Sequence, residues 1–241
     1  MSHWLLKVGS CASLVFLYSS FGKVDASSRS LKYYFNSDRK SLPEKSFTDH
    51  TVCNNIFLIR HGQYFTAGQT DSSRDLTFIG EEQAMATGYY LKSMNFPYKK
   101  IIHSSLTRAV TTAKFLEHYL RIPMECCPFL NECIPISPDP LPAHFDPNHR
   151  REENIRLKLA YENYFQCPSE SDDCDKYNII VCHSNVIRYF ICRSLQIPPA
   201  MWIRFSLSHC SISWIQLYSN GTVRVRSIGD RGHIPANRLT V

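Results

Sequence analysis

Two short apolar runs, each broken off by a histidine, constrain this chain more than any other feature. Asn55-Ile-Phe-Leu-Ile59 stops at Arg60-His61-Gly62, and Tyr177 to Cys182 stops at His183-Ser184. Neither run alternates apolar with polar residues, so each is expected to be a strand covered on both faces, as in a parallel sheet sandwiched between helices. Lys100–His103 is a third such segment, and Met124–Leu130 is expected to be extended. Between them lie helical stretches over 80–94, opened by Glu81 and Glu82, over 106–120, over 150–165 and from 184 or 185 to 195. Five prolines between Pro135 and Pro147 exclude helix or central strand there and predict a surface loop. Ser211–Leu217, the turn Ser219-Asn220-Gly221 and Val223–Ile228 read as a hairpin. The expected fold is therefore α/β: a three-layer α/β/α sandwich with a mostly parallel central sheet and one antiparallel edge strand.

Composition narrows the function. At 241 residues and 44% hydrophobic, the chain has ample material for a core, and no repeat of solenoid period occurs. A net charge of +6 admits an acidic partner such as a phosphate ester, but no dense basic tract marks a nucleic-acid binder. Ten cysteines contain no C-x-x-C pair, which argues against a zinc knuckle or a dithiol redox motif. Several sit inside apolar runs, Cys182 and Cys192 among them, so they are read as reduced, mostly buried packing thiols. Residues 1–26 form a hydrophobic, acid-poor segment, and residues 27–50 a Ser-, Lys- and Arg-rich linker ahead of a domain over 51–241. That N-terminus fits a mitochondrial targeting and anchoring segment, and equally a secretory signal cleaved after Val24-Asp25-Ala26.

The chemistry follows from the strand ends. Functional sites of open α/β sheets lie beyond the carboxyl ends of the strands, so His61 and His183 can meet there, with His103-Ser104-Ser105 ending a third strand beside them. Arg60 adjoins His61, and Arg108 lies near the start of the helix after Ser105. Two guanidiniums beside two imidazoles suit a phosphoryl group. In this reading His61 is the nucleophile that forms a phosphohistidine, and Arg60, Arg108 and a protonated His183 hold the phosphoryl oxygens. The leaving alkoxide needs a proton, for which Glu132, between Phe129-Leu130 and the Pro-rich loop, is the candidate acid. No metal and no cofactor is called for.

Four blocks of residues carry a resemblance to a known family. Phe57-Leu-Ile-Arg-His-Gly-Gln-Tyr64 resembles the RHG signature of the histidine phosphatase (phosphoglycerate-mutase-like) superfamily. Leu76-Thr-Phe-Ile-Gly80 with Glu82-Gln83-Ala84, Ile102-His-Ser-Ser-Leu-Thr-Arg-Ala109, and Cys182-His-Ser-Asn-Val-Ile-Arg188 are similar to its further elements, in the same order. Pro135-Ile136, Pro138-Asp139-Pro140, Cys192-Arg193, Ser211-Ile212 and the terminal Gly229-Asp230, Gly232 and Pro235 resemble one branch, the membrane-anchored mitochondrial serine/threonine protein phosphatases. The resemblance implies a phosphohistidine at His61, Glu132 as proton donor, phosphoserine or phosphothreonine proteins as substrates and no metal. It also favours a mitochondrial membrane over the secretory pathway.

Departures qualify it. The branch carries a tryptophan-bearing motif that supports higher assembly; residues 22–50 contain no tryptophan, which leaves a homodimer through the catalytic domain as the expected assembly. Gln63-Tyr64-Phe65 follows RHG where true mutases have an Asn, and Ser208-His209-Cys210 replaces an Asn-Asn-Gly-like stretch. His209 is given no role. The alternatives are a small-molecule phosphomonoesterase or mutase and a weakly active mitochondrial scaffold.

Overall fold

The apolar run after Val52 forms β1 (Cys53–Arg60), every residue of which is buried except its last. The computed structural model describes residues 52–143, 151–169 and 171–241, and the expected anchor over 1–26 and linker over 27–50 lie outside them. Successive side chains of β1 point to opposite faces of the sheet. Ile56 and Leu58 enter one core and Phe57 and Ile59 the other, so the strand is apolar throughout because both of its faces are covered.

Five more strands complete a six-stranded sheet: β2 (Ile101–His103), β3 (Met124–Cys126), β4 (Lys176–Cys182), β5 (Ile212–Tyr218) and β6 (Val223–Asp230), in the order β3-β2-β4-β1-β5-β6. On one face α1 (Phe78–Ser93) and α2 (Thr107–Leu120) pack through Leu91, Ala109, Ala113 and Leu116. On the other, α3 (Arg151–Tyr164) and α4 (Ser184–Ser194) pack through Leu157, Ala160, Val186 and Phe190. This is the expected α/β sandwich. β3, β2, β4 and β1 are mutually parallel, and the reversed strand, β5, lies one place in from the edge because β6 folds back outside it. The turn between them places Gly221 at a φ of 81°, a left-handed conformation that a residue without Cβ adopts at no steric cost.

The segment expected to be extended over 124–130 divides. Its last part tightens into a 3-10 turn, Pro128–Leu130, because Pro128 cannot donate to a ladder. Two further 3-10 turns, Pro199–Arg204 and Ala236–Arg238, have no apolar periodicity that could announce them. Among the described residues no helix is long and apolar enough to cross a membrane. The nine described cysteines are free thiols; five are buried, but Cys126, Cys167 and Cys174 are exposed, so packing accounts for only part of the set.

Candidate active site

Parallel register brings the two histidines together. Ile59 pairs with Val181 and Arg60 with Cys182, so His61 and His183 emerge side by side, their ring centroids 5.0 Å apart. The His61 amide donates to the Cys182 carbonyl at 3.0 Å, and His103 pairs with Val181, which sets Ser104 beside His183. Residues 122 apart in sequence thus meet because β1 and β4 are adjacent and point the same way.

The imidazole of His61 is fixed in one tautomer. Its Nδ1–H donates to the Gly62 carbonyl at 2.8 Å, and Nε2 accepts from Nε of Arg108 at 3.3 Å. Nε2 therefore carries no proton, and its lone pair is the one open to an electrophile. Burial first, then the neighbouring His183, Arg108 and Arg60, hold the pKa of His61 well below the ordinary value, so the ring stays neutral. Arg108 is itself placed by Asp71, whose Oδ1 lies 3.7 Å from Nη1 and whose Oδ2 accepts from the Thr107 amide and hydroxyl at the start of α2. The Arg108 guanidinium lies 4.7 Å over the ring of Tyr64.

Arg60 gives its Nη1 to the Leu207 carbonyl and its Nη2 to Nε2 of His209 at 3.0 Å, which leaves its buried Nε without a partner. His183 gives one nitrogen to Ser104 at 2.8 Å, and its buried Nδ1 is likewise unpartnered. Orphaned polar atoms this deep are rare; the guanidinium N–H suits a phosphoryl oxygen, and the imidazole nitrogen suits a P–OH or, once protonated, an oxyanion. The sequence reading has His183 protonated. Instead burial, Arg108, Arg60 and Arg156 depress its pKa well below the ordinary value, so in the protein alone it is neutral. Glu132 is partly buried, and burial pushes its carboxyl up to about 7 against the pull of the Cys133 amide, Arg108, Arg60 and Arg188.

A scan of known family models matches residues 56–134 and 167–230 to the histidine phosphatase superfamily, branch 1. The chain belongs to that superfamily. It is 40% identical over 188 residues to the serine/threonine-protein phosphatase PGAM5, mitochondrial, of Mus musculus, covering 77% of this chain and 65% of that one. The protein of that name in Drosophila grimshawi is 37% identical over 212 residues, 86% of this chain and 71% of its own. The chain therefore spans just under two thirds of the mouse relative's length. Among solved structures, a phosphoglycerate mutase of Plasmodium falciparum matches with a TM-score of 0.54 at 35% identity, over 74% of this chain and 91% of that one. A mycobacterial glucosyl-3-phosphoglycerate phosphatase shares the fold at 20% identity and a TM-score of 0.58, over 73% and 98%.

In this member of the superfamily all five residues expected from sequence, Arg60, His61, Arg108, Glu132 and His183, gather at the carboxyl ends of the parallel strands. Sequence reasoning missed the residues that hold them. Arg188, one turn along α4, makes a single hydrogen bond, to Asn185 at 3.2 Å, and its charge acts on both Glu132 and Arg60. His209 is part of a relay: Gln83 donates to the hydroxyl of Thr240 at 2.9 Å, and that hydroxyl meets Nδ1 of His209 at 2.8 Å. Since Nε2 accepts from Arg60, Nδ1 carries the proton and donates to Thr240. Thr240→Val is expected to loosen Arg60 and lower kcat/KM by roughly three- to tenfold, chiefly through KM, as steady-state kinetics would read. Gln83 and Arg188 lie within the family-like blocks, but no motif gives the partners of these groups; only proximity does.

Gln83 also accepts from the Gln63 amide at 2.9 Å, fastening the turn after His61 to α1. The two backbones touch there: a Cβ on Gly80 would fall 2.0 Å from the Gln63 carbonyl oxygen, and one on Gly62 2.6 Å from that of Gly80. Gly80→Ala should push the turn off α1, costing about 1–3 kcal/mol in a thermal melt and displacing His61 enough to lower kcat by tenfold or more. Among the described residues no group of three His, Cys, Asp or Glu side chains is arranged to hold a metal ion.

Proposed function

We propose that this chain is a phosphatase that hydrolyses phosphoserine and phosphothreonine in proteins through a phosphohistidine at His61. The observation that carries the reading is the tautomer of His61: Nδ1–H committed to Gly62 and a bare Nε2 flanked by the Arg108 guanidinium. Nε2 attacks phosphorus in line with the leaving seryl oxygen. Arg60, through its free Nε, and Arg108 stabilise the charge that spreads over the phosphoryl oxygens. Glu132, with a carboxyl that titrates near neutrality, gives its proton to the leaving oxygen. The resulting carboxylate then takes a proton from the water that breaks the N–P bond, which restores both groups. Protein substrates at mitochondria are supported by the names of the mouse and Drosophila relatives. Within this proposal residues 51–241 form the phosphatase domain, residues 1–26 anchor it to a mitochondrial membrane, and the domain pairs as a homodimer.

The test is phosphate release from a phosphoseryl peptide by the purified chain, with acid-labile, base-stable labelling of the enzyme. Absence of both labelling and release would overturn the reading. A second reading, a small-molecule phosphomonoesterase or mutase, draws on the 35% identity to the Plasmodium phosphoglycerate mutase. Turnover of 3-phosphoglycerate exceeding that of the peptide would favour it. A reporter fused to residues 1–30 tests the address, with secretion as the overturning result.

A further inference from the structure

The relay behind His183 defines how that residue works. The Ser105 amide donates to Oδ1 of Asn131 at 2.9 Å, which fixes the orientation of the Asn131 side chain, because a backbone N–H requires an acceptor. The hydroxyls of Ser104 and Ser105 donate to the same Oδ1 at 2.7 Å and 2.9 Å, and Ser104 Oγ accepts from the Leu106 amide at 3.2 Å. With its one proton given to Asn131, Ser104 can only accept from His183 Nε2 at 2.8 Å. Asn131 is held in turn from α3: Arg156 donates to the carbonyls of Pro128 at 3.1 Å, Phe129 at 2.8 Å and Asn131 at 3.0 Å.

We propose that Asn131 and Ser104 are positioning residues that lock His183 in its Nε2–H form, so that Nδ1 remains a bare lone pair and grips a phosphoryl oxygen only after taking up a proton. This rests on the phosphatase reading. The proton comes with the substrate. A phosphomonoester has a second pKa near 6. When its monoanion enters, the O–H bond of its P–OH group breaks, N–H forms at Nδ1, and a dianion faces an imidazolium with no change in total charge. The groups around His183 favour this exchange only in the presence of that dianion, since Arg60 at the end of β1, His61 just after it, Arg108 from α2 and Arg156 from α3 are neutral or cationic. Glu132, whose carboxyl faces the same Arg108 and Arg60, is largely protonated below pH 7.

Two readouts test the lock. In 15N-resolved NMR of the full chain without substrate, His183 is expected to show a protonated Nε2 and a pyridine-type Nδ1. A protonated Nδ1 with a bare Nε2 would overturn the proposal whether or not the chain proves to be a phosphatase. For wild type, kcat/KM on a phosphoseryl peptide should fall roughly tenfold between pH 6 and 7, about fivefold from loss of the monoanion and about twofold from Glu132, and more steeply above 7. In Asn131→Ala the freed Ser104 hydroxyl can turn and donate to Nε2, which leaves a neutral His183 with Nδ1–H. Its profile should lack the monoanion factor, falling about fivefold less from pH 6 to 7 and about tenfold less per unit above 7, and its NMR signature should be reversed. A profile parallel to wild type would overturn the proposal. Asn131→Asp keeps the acceptor and should keep Nε2 protonated; loss of that proton there would also overturn it. If Asn131→Ala fails to fold, the wild-type signature and the Asp variant decide. Total absence of turnover with the expected wild-type signature would defeat the phosphatase reading and leave the lock standing.

Discussion

His61→Ala is expected to abolish phosphate release, with turnover falling by roughly 10⁴-fold or more, and to remove the acid-labile phosphoenzyme altogether. The size of the effect follows from how little else at the site can attack phosphorus. His183 gives Nε2–H to Ser104, and its Nδ1 takes up the substrate's proton in the proposed exchange, so no lone pair is left to attack; His209 is pinned between Arg60 and Thr240 with its pKa pushed down to about 3, chiefly by burial. Neither replaces the proposed nucleophile, whose Nε2 is aligned by the Gly62 carbonyl on Nδ1–H and by Arg108. Rapid-quench kinetics on a phosphoseryl peptide would check this. Residual turnover above about one part in a hundred would mean that water attacks directly, with His61 as a mere clamp. His61→Ala should leave the fold intact, since the sheet ends at Arg60.

Glu132→Gln should separate activity from stability. Without an acid for the leaving oxygen, kcat is expected to fall by roughly 10²- to 10⁴-fold. Stability should move the other way at alkaline pH. Burial raises the Glu132 pKa from 4.5 to about 7, so between those values the native state binds more protons than the unfolded chain. The linkage slope is then negative: wild type loses stability as pH rises through that window, because the native carboxyl ionises less readily than the unfolded one. One pKa unit is worth about 1.4 kcal/mol. Glu132→Gln should therefore gain about 3 kcal/mol on wild type between pH 4 and pH 8, as urea unfolding at the two pH values would show. Taking the difference between pH values cancels the fixed cost of placing an amide there. An unchanged difference would mean that the carboxyl is not desolvated and is no general acid at neutral pH.

The buried histidines impose the opposite dependence. His61 and His183 have folded pKa values well below the ordinary one, so stability they confer is present above about pH 6.5 and is lost as acid forces a charge into the core. Glu132 and this pair therefore give the protein an interior pH optimum.

Some of this was legible before any coordinates. The uninterrupted apolar character of 55–59 and 177–182 requires two covered faces, and a strand so covered belongs to a parallel α/β sheet. From that alone His61 and His183 must sit at carboxyl strand ends, and Arg60 and Arg108 follow by adjacency to them. Glu132 was found through the family resemblance more than through its spacing, since a loop carboxylate before a Pro-rich stretch looks like any other. Other matters were settled only in three dimensions. The sequence has no way to tell that the hairpin folds so that β5 lies inside β6, because both strands carry similar residues and only packing on β1 selects one.

The local chemistry of residues 57–62, 102–109 and 182–188 determined which groups meet at the site, because strand periodicity and the strand-end rule act on neighbours in sequence. Tertiary structure decided their protonation and orientation. Asn131 reaches Ser104 across 27 residues and Thr240 reaches His209 across 31, and a hydrogen bond's direction depends on which partner has already spent its proton. Burial likewise sets the charge of Glu132 and of both histidines, and desolvation is a property of everything packed around a group, which no stretch of chain contains by itself.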